Sequence, residues 1–314
     1  MILNEETFSP RAELSVSQYA LLERRLQRAR HASLKPAGPP PAIPRRGAAD
    51  NLPLALAQER LWFLHQLEPR SAVYNLCQAV RLRGSLDIPA LERGLNEIIR
   101  RHETLRTNFI ATEGSPVQRI AASRTLALQL VDLAARPDAV REEELRWRLQ
   151  EESRRPFDLA RDLLLRALLV RIGPEDHALL LTMHHIVSDG WSLGLLLGEL
   201  AAGYEAFRAG EPVALAELPV QYADYALWER KQLGRAALEQ QLAYWKKQLG
   251  GRLPALELPT DHPRLAAPMA HGAARSLQLS APLTQSLKTL SQQEGATLFM
   301  TLLAAFQVLL HRYT

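Results

Sequence analysis

The sequence predicts an α/β fold in which helices pack on a mixed β-sheet, and three observations lead there. The stretch LLLRALLVRIGPEDHALLLTMHHIV reads as two strands, Leu164 to Ile172 and Ala178 to Met183, joined by the turn Gly173-Pro174-Glu175-Asp176. Helical periods flank it. Asp87 caps a helix with Pro89 near its first turn and Leu91, Leu95, Ile98 and Ile99 on its buried side, and WSLGLLLGELAAGYEAFRAG is helical up to Gly210. With 314 residues, 47% apolar and 23% charged, the chain can build one large core or two of ordinary size.

In chain order, Ser15 is the first helix N-cap, with Gln18 three residues on completing a capping box and Leu14 placed to staple against Tyr19. This N-terminal helical segment, residues 1–34, carries Leu21, Leu22 and Leu26 on a stripe that it cannot bury alone. Residues 35–50, KPAGPPPAIPRRGAAD, hold five prolines and two glycines and read as a stiff, extended linker. From Leu52 helical and strand periods alternate, and His184 to Gly190 fall where a buried strand ends and a helix begins. Such carboxyl ends of strands form the rim where ligands bind in α/β layers. Two helices follow, in LPVQYADYALWERKQL and ALEQQLAYWKKQLGG, then the irregular RLPALELPTDHPRLAAP. An expected strand, Ala274 to Leu279, precedes helices over Pro282–Glu294 and Ala296–His311. The apolar last helix reaches Thr314 without a cap or turn signal, which predicts a fragment.

Composition removes several function classes. The formal charge of +4 comes from arginines scattered among acids, as in REEELRWRLQEESRRPFD, and only 6% of residues are aromatic. A nucleic-acid surface needs a basic stripe with interleaved aromatics, so no nucleic-acid partner is expected. No apolar run reaches the ~18 to 20 residues of a membrane span, and MILNEETFSPRAEL lacks a basic region followed by an apolar one. The expectation is a cytoplasmic chain with no membrane partner. A single cysteine, Cys77, excludes an internal disulfide and a cysteine-based zinc site.

The stretch MHHIVSDGWS, Met183 to Ser192, carries the candidate chemistry. Strand alternation sends His184 and His185 to opposite faces, so one can face a cleft while its neighbour packs behind it. A neutral, oriented imidazole is a base near neutral pH, and Gly190, lacking a side chain, lets a substrate come close. The same residues also fit a structural reading, with both histidines in the core and Asp189 capping the following helix. Zinc fits poorly, because adjacent strand histidines cannot ligate one ion from the same face and no third ligand stands at helical spacing. No metal is expected.

His184, His185, Asp189 and Gly190 match the pattern HHxxxDG, and with it the chain resembles the condensation domains of nonribosomal peptide synthetases. In the family's order it also carries LALAQERLWFL (Leu54 to Leu64), RHETLRTNF (Arg101 to Phe109), RPFDLARDLLLRALL (Arg155 to Leu169) and YADYALWER (Tyr222 to Arg230). The run LAYWKKQLGG to LELPTDHPR resembles the bridge into the family's second lobe. Departures are Ala55 where serine usually opens the first motif, Cys77 where proline is common and His262 in place of an arginine.

The resemblance implies a chloramphenicol-acetyltransferase-like two-layer lobe over residues 51–225, then the bridge and the beginning of a second similar lobe over 226–314. It implies amide formation between a donor acyl or peptidyl thioester and an acceptor aminoacyl amine. Both substrates arrive on 4'-phosphopantetheine arms of upstream and downstream carrier domains, beside an adenylation domain, and the domain itself binds no cofactor. His185 is implied to face the substrate tunnel, as general base or positioning group, with His184 supporting it from behind the sheet and Gly190 admitting the substrate. Asp189 is implied to hold the loop, with Arg60 as a candidate partner, while Arg60, Trp62 and Trp191 line the tunnel or support it. Tyr222, Asp224 and Tyr225 read as structural. Residues 1–46 either receive an upstream synthetase chain or pack on their own domain.

Two alternatives stay open: a non-catalytic carrier-binding or docking fragment, since the second lobe is incomplete, and a stand-alone HxxxDG acyltransferase using coenzyme A thioesters. The latter is not expected to carry AQERLW and RHETLRT. Epimerisation relatives continue differently after Asp-Gly than WSLGLLL does, and cyclisation relatives carry aspartates in place of the histidine pair.

Overall fold

The computed structural model describes residues 42–47, 52–251, 256–261 and 276–314. One compact unit runs through Gly234 and a second from Arg235 to Thr314. In the first, β1 (Leu52–Pro53), α1 (Leu56–Leu67), β2 (Asn75–Arg83) and α2 (Ile88–Arg101) lead through a 3-10 turn (Glu103–Arg106) to β3 (Thr107–Thr112), β4 (Ser115–Ile120) and β5 (Gln129–Asp132). Then come α3 (Asp138–Ser153), β6 (Leu165–Gly173), β7 (Asp176–His184), α4 (Gly190–Arg208) and α5 (Tyr222–Gln232).

The strands form two sheets, ordered β1-β4-β3 and β2-β7-β6-β5. The second is mixed. β6 and β7 are the expected hairpin, with Gly173 opposite Asp176, whereas β5 runs parallel to β6 because α3 provides the crossover between them. Both faces of this sheet are covered at its two central strands, which explains why β6 and β7 are buried at nearly every position. Leu165, Ala167 and Leu169 of β6 and Leu179, Leu181 and Met183 of β7 enter the core under α2 and α4. The alternate residues Leu168, Val170, Ile172, Ala178 and Leu180 pack with Leu145 and Leu149 of α3. Each fully buried leucine stabilises the fold by about 1.5–3 kcal/mol.

The elements that frame the site form as the sequence expects. Asp87 accepts a hydrogen bond from the Ala90 N–H at 2.9 Å, and Leu91, Leu95, Ile98 and Ile99 of α2 are buried. Helix α4 ends at a C-cap, Ala209, followed by Gly210 in the left-handed region at φ +76°. Helices α2 and α4 approach closely at Gly94 and Gly203, where a Cβ on Gly203 would lie 3.6 Å from the Gly94 Cα. The division expected at residue 225/226 falls inside α5, which belongs to the first unit. Glu229 accepts the Leu56 N–H at 2.8 Å and Arg230 donates to the Leu54 carbonyl at 3.0 Å.

The second unit contains α6 (Arg235–Gln248), α7 (Ala281–Gln293) and α8 (Leu298–Tyr313), the last two capped by Ser280 and Thr297. The strand expected over Ala274 to Leu279 is not formed in its described part, residues 276–279, and Leu277 is 86% exposed. An extended segment becomes a strand only by pairing, and no described segment of this unit offers a partner edge. The N-terminal helix and His262 lie outside the described residues. No described single helix is long and apolar enough to cross a membrane.

Candidate active site

The HHIVSDG stretch leaves the sheet at the carboxyl end of β7. His184 is the last strand residue, opposite Asn75, and the His185 N–H extends the pairing by donating to the Tyr74 carbonyl at 2.8 Å. His185 shares the strand face of Leu181 and Met183, whereas His184 shares that of Leu180 and Thr182. The adjacent imidazoles therefore enter different surroundings.

His184 is closed in, 2% exposed, with the rings of His65, Tyr74 and Phe157 around it at centroid distances of 6.1–6.3 Å. Its Nδ1 accepts the Ile186 N–H at 3.1 Å, which fixes the turn after the strand and leaves any proton of the neutral ring on Nε2. Burial lowers its pKa to about 4, helped by repulsion from His65 and His185, so the ring is neutral at physiological pH.

His185 is exposed and makes no side-chain hydrogen bond among the described residues. It stands in the wall of a cavity of about 410 Å³, within the ~300–1,000 Å³ of small-molecule clefts. The cavity is mostly apolar, walled by α1, the ends of α2 and β7, the start of α4 and the segment before α5. An unengaged imidazole in such a place can accept a proton or a hydrogen bond from a bound molecule.

The loop that carries His185 is held from several sides. Gln58, buried in α1, donates from Nε2 to the Ile186 carbonyl at 3.2 Å and accepts the Ala55 N–H at 3.1 Å. With Ala55 in place of serine, this is the half of a capping box that remains. Asp189 is the N-cap of α4, accepting from the Ser192 N–H at 2.8 Å and the Ser192 hydroxyl at 2.6 Å. These two bonds hold its carboxyl below the usual carboxylate range.

The expected Asp189–Arg60 pair does not form. Arg60 is exposed on α1 and makes no hydrogen bond or ion pair among the described residues. A capping partner three residues away fixes little additional chain, and it outcompetes a long side chain from another element. Trp62 is half-buried against the first unit's core, and Trp191 is 81% exposed in the first turn of α4. Gly190 does not occupy the left-handed region, and the place of its missing Cβ is open space. Openness beside the cavity, not backbone freedom, is what glycine provides there.

Sequence reasoning passed over Gln58, Ser192 and His102. The first two were readable, since each stands three residues after a helix start. His102 was not: its Nε2 lies 2.7 Å from Oε2 of Glu199 in α4, and Arg101 donates to the same carboxylate at 3.2 Å. It places a second imidazole in the cavity wall. Tyr222, read as structural, also lines the cavity, while Asp224 caps α5 through the Gln221 N–H and Tyr225 donates to Glu229. The quoted motifs also contact one another. Phe109 donates its N–H to the Leu159 carbonyl, and Arg230 contacts Glu59.

Fold and site together define an α/β protein whose mixed sheet delivers one unengaged histidine to a cavity at its strand ends. The Condensation domain family model matches residues 48–314, and the chain belongs to that family. It is similar to one of the linear gramicidin synthase proteins of Brevibacillus parabrevis, 52% identical over 263 residues that cover 84% of this chain and 3% of that protein. It is also similar to phosphinothricin tripeptide synthetase PhsC of Streptomyces viridochromogenes, 45% identical over 304 residues, 96% of this chain and 28% of that one.

Among solved structures, the X-domain from teicoplanin biosynthesis superposes with a TM-score of 0.76 at 33% identity, covering 87% of this chain and 60% of that one. The first condensation domain of the CDA synthetase gives 0.69 at 26% identity, covering 85% and 63%. The chain thus spans a small part of these synthetases and under two thirds of either structure's chain.

Proposed function

We propose that this chain is the first lobe, and the beginning of the second, of a condensation domain that joins a donor acyl or peptidyl thioester to an acceptor aminoacyl amine. The observation that carries the reading is the unengaged His185 imidazole in the cavity, on a loop fixed by His184, Gln58 and Asp189. The acceptor nitrogen attacks the thioester carbon, the C–N bond forms and the C–S bond breaks. The proton lost by nitrogen ends on the departing thiolate. His185 accepts or holds that proton, a role worth about 10²–10⁴-fold in rate. Fixing amine and thioester side by side contributes about 7–11 kcal/mol more.

In this reading the substrates are presented on 4'-phosphopantetheine arms of an upstream donor and a downstream acceptor carrier domain, with an adenylation domain loading the acceptor. The test is a single-turnover amide-formation assay with both carriers loaded, comparing the synthetase that contains this chain with its His185→Ala variant. Loss of product in a folded variant supports the role, and product at the parental rate refutes it.

A second reading has its own observation. The teicoplanin X-domain has been solved in complex with OxyB, and that structure superposes on this chain with a TM-score of 0.75 at 33% identity. A domain of this fold can therefore serve as a docking partner. Under that reading the wild type makes no amide in the same assay and still binds its partner in titration calorimetry.

A further inference from the structure

Two arginines of the linker, outside every motif quoted above, bond to the segments that wall the cavity. Residues 42–47 have irregular backbone but are not loose. Arg45 donates to the Leu218 carbonyl at 2.8 Å. Arg46 spans two carboxylates, with Nη1 on Asp224 at 2.8 Å and Nη2 on Glu103 at 2.6 Å, and its backbone N–H also reaches Asp224 at 3.2 Å. The contact is partly buried: the Asp224 side chain is 2% exposed, those of Arg46 and Glu103 about a fifth.

Each partner of Arg46 belongs to a segment that walls the cavity. Glu103 lies between His102 and Thr104, and Asp224 caps the helix preceded by Leu218, Val220 and Gln221, all of them lining residues. The two segments also touch directly, since Gln221 accepts the Glu103 N–H at 3.1 Å and donates to the Arg101 carbonyl at 3.0 Å. A guanidinium, planar and forked, can hold two carboxylates at once, and an ammonium matches that geometry poorly.

We propose that Arg46 is a positioning residue, which clamps the His102–Leu105 and Leu218–Tyr222 walls together and so makes the linker part of the cavity. The proposal rests on reading that cavity as the amide-forming site. It predicts that what happens to the linker is felt by the bound substrate, without any contact between linker and substrate.

The test compares wild type, Arg46→Gln and Arg46→Lys by hydrogen exchange on the whole 314-residue chain and by amide-formation kinetics in the synthetase. In Arg46→Gln, exchange should rise in residues 102–107 and 218–226 while the β6 and β7 amides stay protected. KM for the acceptor should rise about tenfold, equivalent to one charge-assisted hydrogen bond, with kcat changed far less. Arg46→Lys, which keeps the charge but cannot span both carboxylates, should fall between. If Arg46→Gln does not fold, the same two readouts on Arg46→Lys decide. Unchanged exchange in the two segments, or an unchanged KM in a folded variant, overturns the clamp. A wild type that makes no amide overturns the function instead, and the exchange comparison still judges the clamp.

Discussion

Behind the HHIVSDG loop the molecule is closed, and in front of it the molecule is open. The rear holds His184 among Phe157, Tyr74 and His65, its Nδ1 bonded and its pKa lowered to about 4 by burial. The front holds His185, exposed beside a cavity with no side-chain partner among the described residues. The two are neighbours in sequence and identical in chemistry. Their difference is made entirely by the faces of one strand, and it separates a side chain that stabilises from one that is available.

His185→Ala puts the greatest strain on that contrast. Amide formation should fall about 10²–10⁴-fold, while stability to urea changes by no more than about 0.5 kcal/mol, as for a surface substitution. The reverse pattern is expected at the rear. His184→Ala should destabilise the fold by about 2–4 kcal/mol in urea denaturation, through the cavity it leaves and the unpaired Ile186 N–H.

Folding stability should also depend on pH through the rear histidine. The unfolded imidazole of residue 184 protonates near ~6.5, whereas the folded one resists until about 4. Between those values the unfolded state binds the extra proton, so the contribution of His184 is complete above the upper value and is lost as pH falls toward the lower. The loss should total about 3 kcal/mol, and His184→Gln should flatten the slope. Finding the same slope in His184→Gln would assign it to other groups.

Smaller effects test how the loop is held. Asp189→Ala should cost about 1 kcal/mol, the worth of an N-cap, and Asp189→Asn less. A double-mutant cycle between Asp189 and Ser192 should show coupling, and one between Asp189 and Arg60 should give a value near zero. Coupling to Arg60 would restore the pair that the sequence suggested and the structure lacks.

Much of this site was legible in the chain itself. Alternation along a strand that ends at His184 was enough to separate the two histidines, and the HHxxxDG pattern in the company of four other motifs was enough to name the family. Caps were legible as well: Asp87 and Asp189 each sit just ahead of a helix and accept from a residue three positions on. Spacing failed where a contact is long-range. Nothing in the sequence links Glu199 to His102, or Arg46 to Asp224, because their meeting depends on how α2, α4 and α5 are stacked. The expected strand over Ala274 to Leu279 failed for a related reason, since alternation reports a side-chain pattern and not the presence of a partner edge.

Local sequence was sufficient for the β6–β7 hairpin, the Asp87 and Asp189 caps and the strand end that bears the histidines, because each depends on residues within a few positions of one another. It took the folded arrangement to establish that Asp189 is held by Ser192 instead of Arg60, that His102 joins the cavity wall, and that a proline-rich linker reaches that wall through Arg46. Competition among possible partners is settled by distance and burial in the folded chain, and neither is written in local spacing.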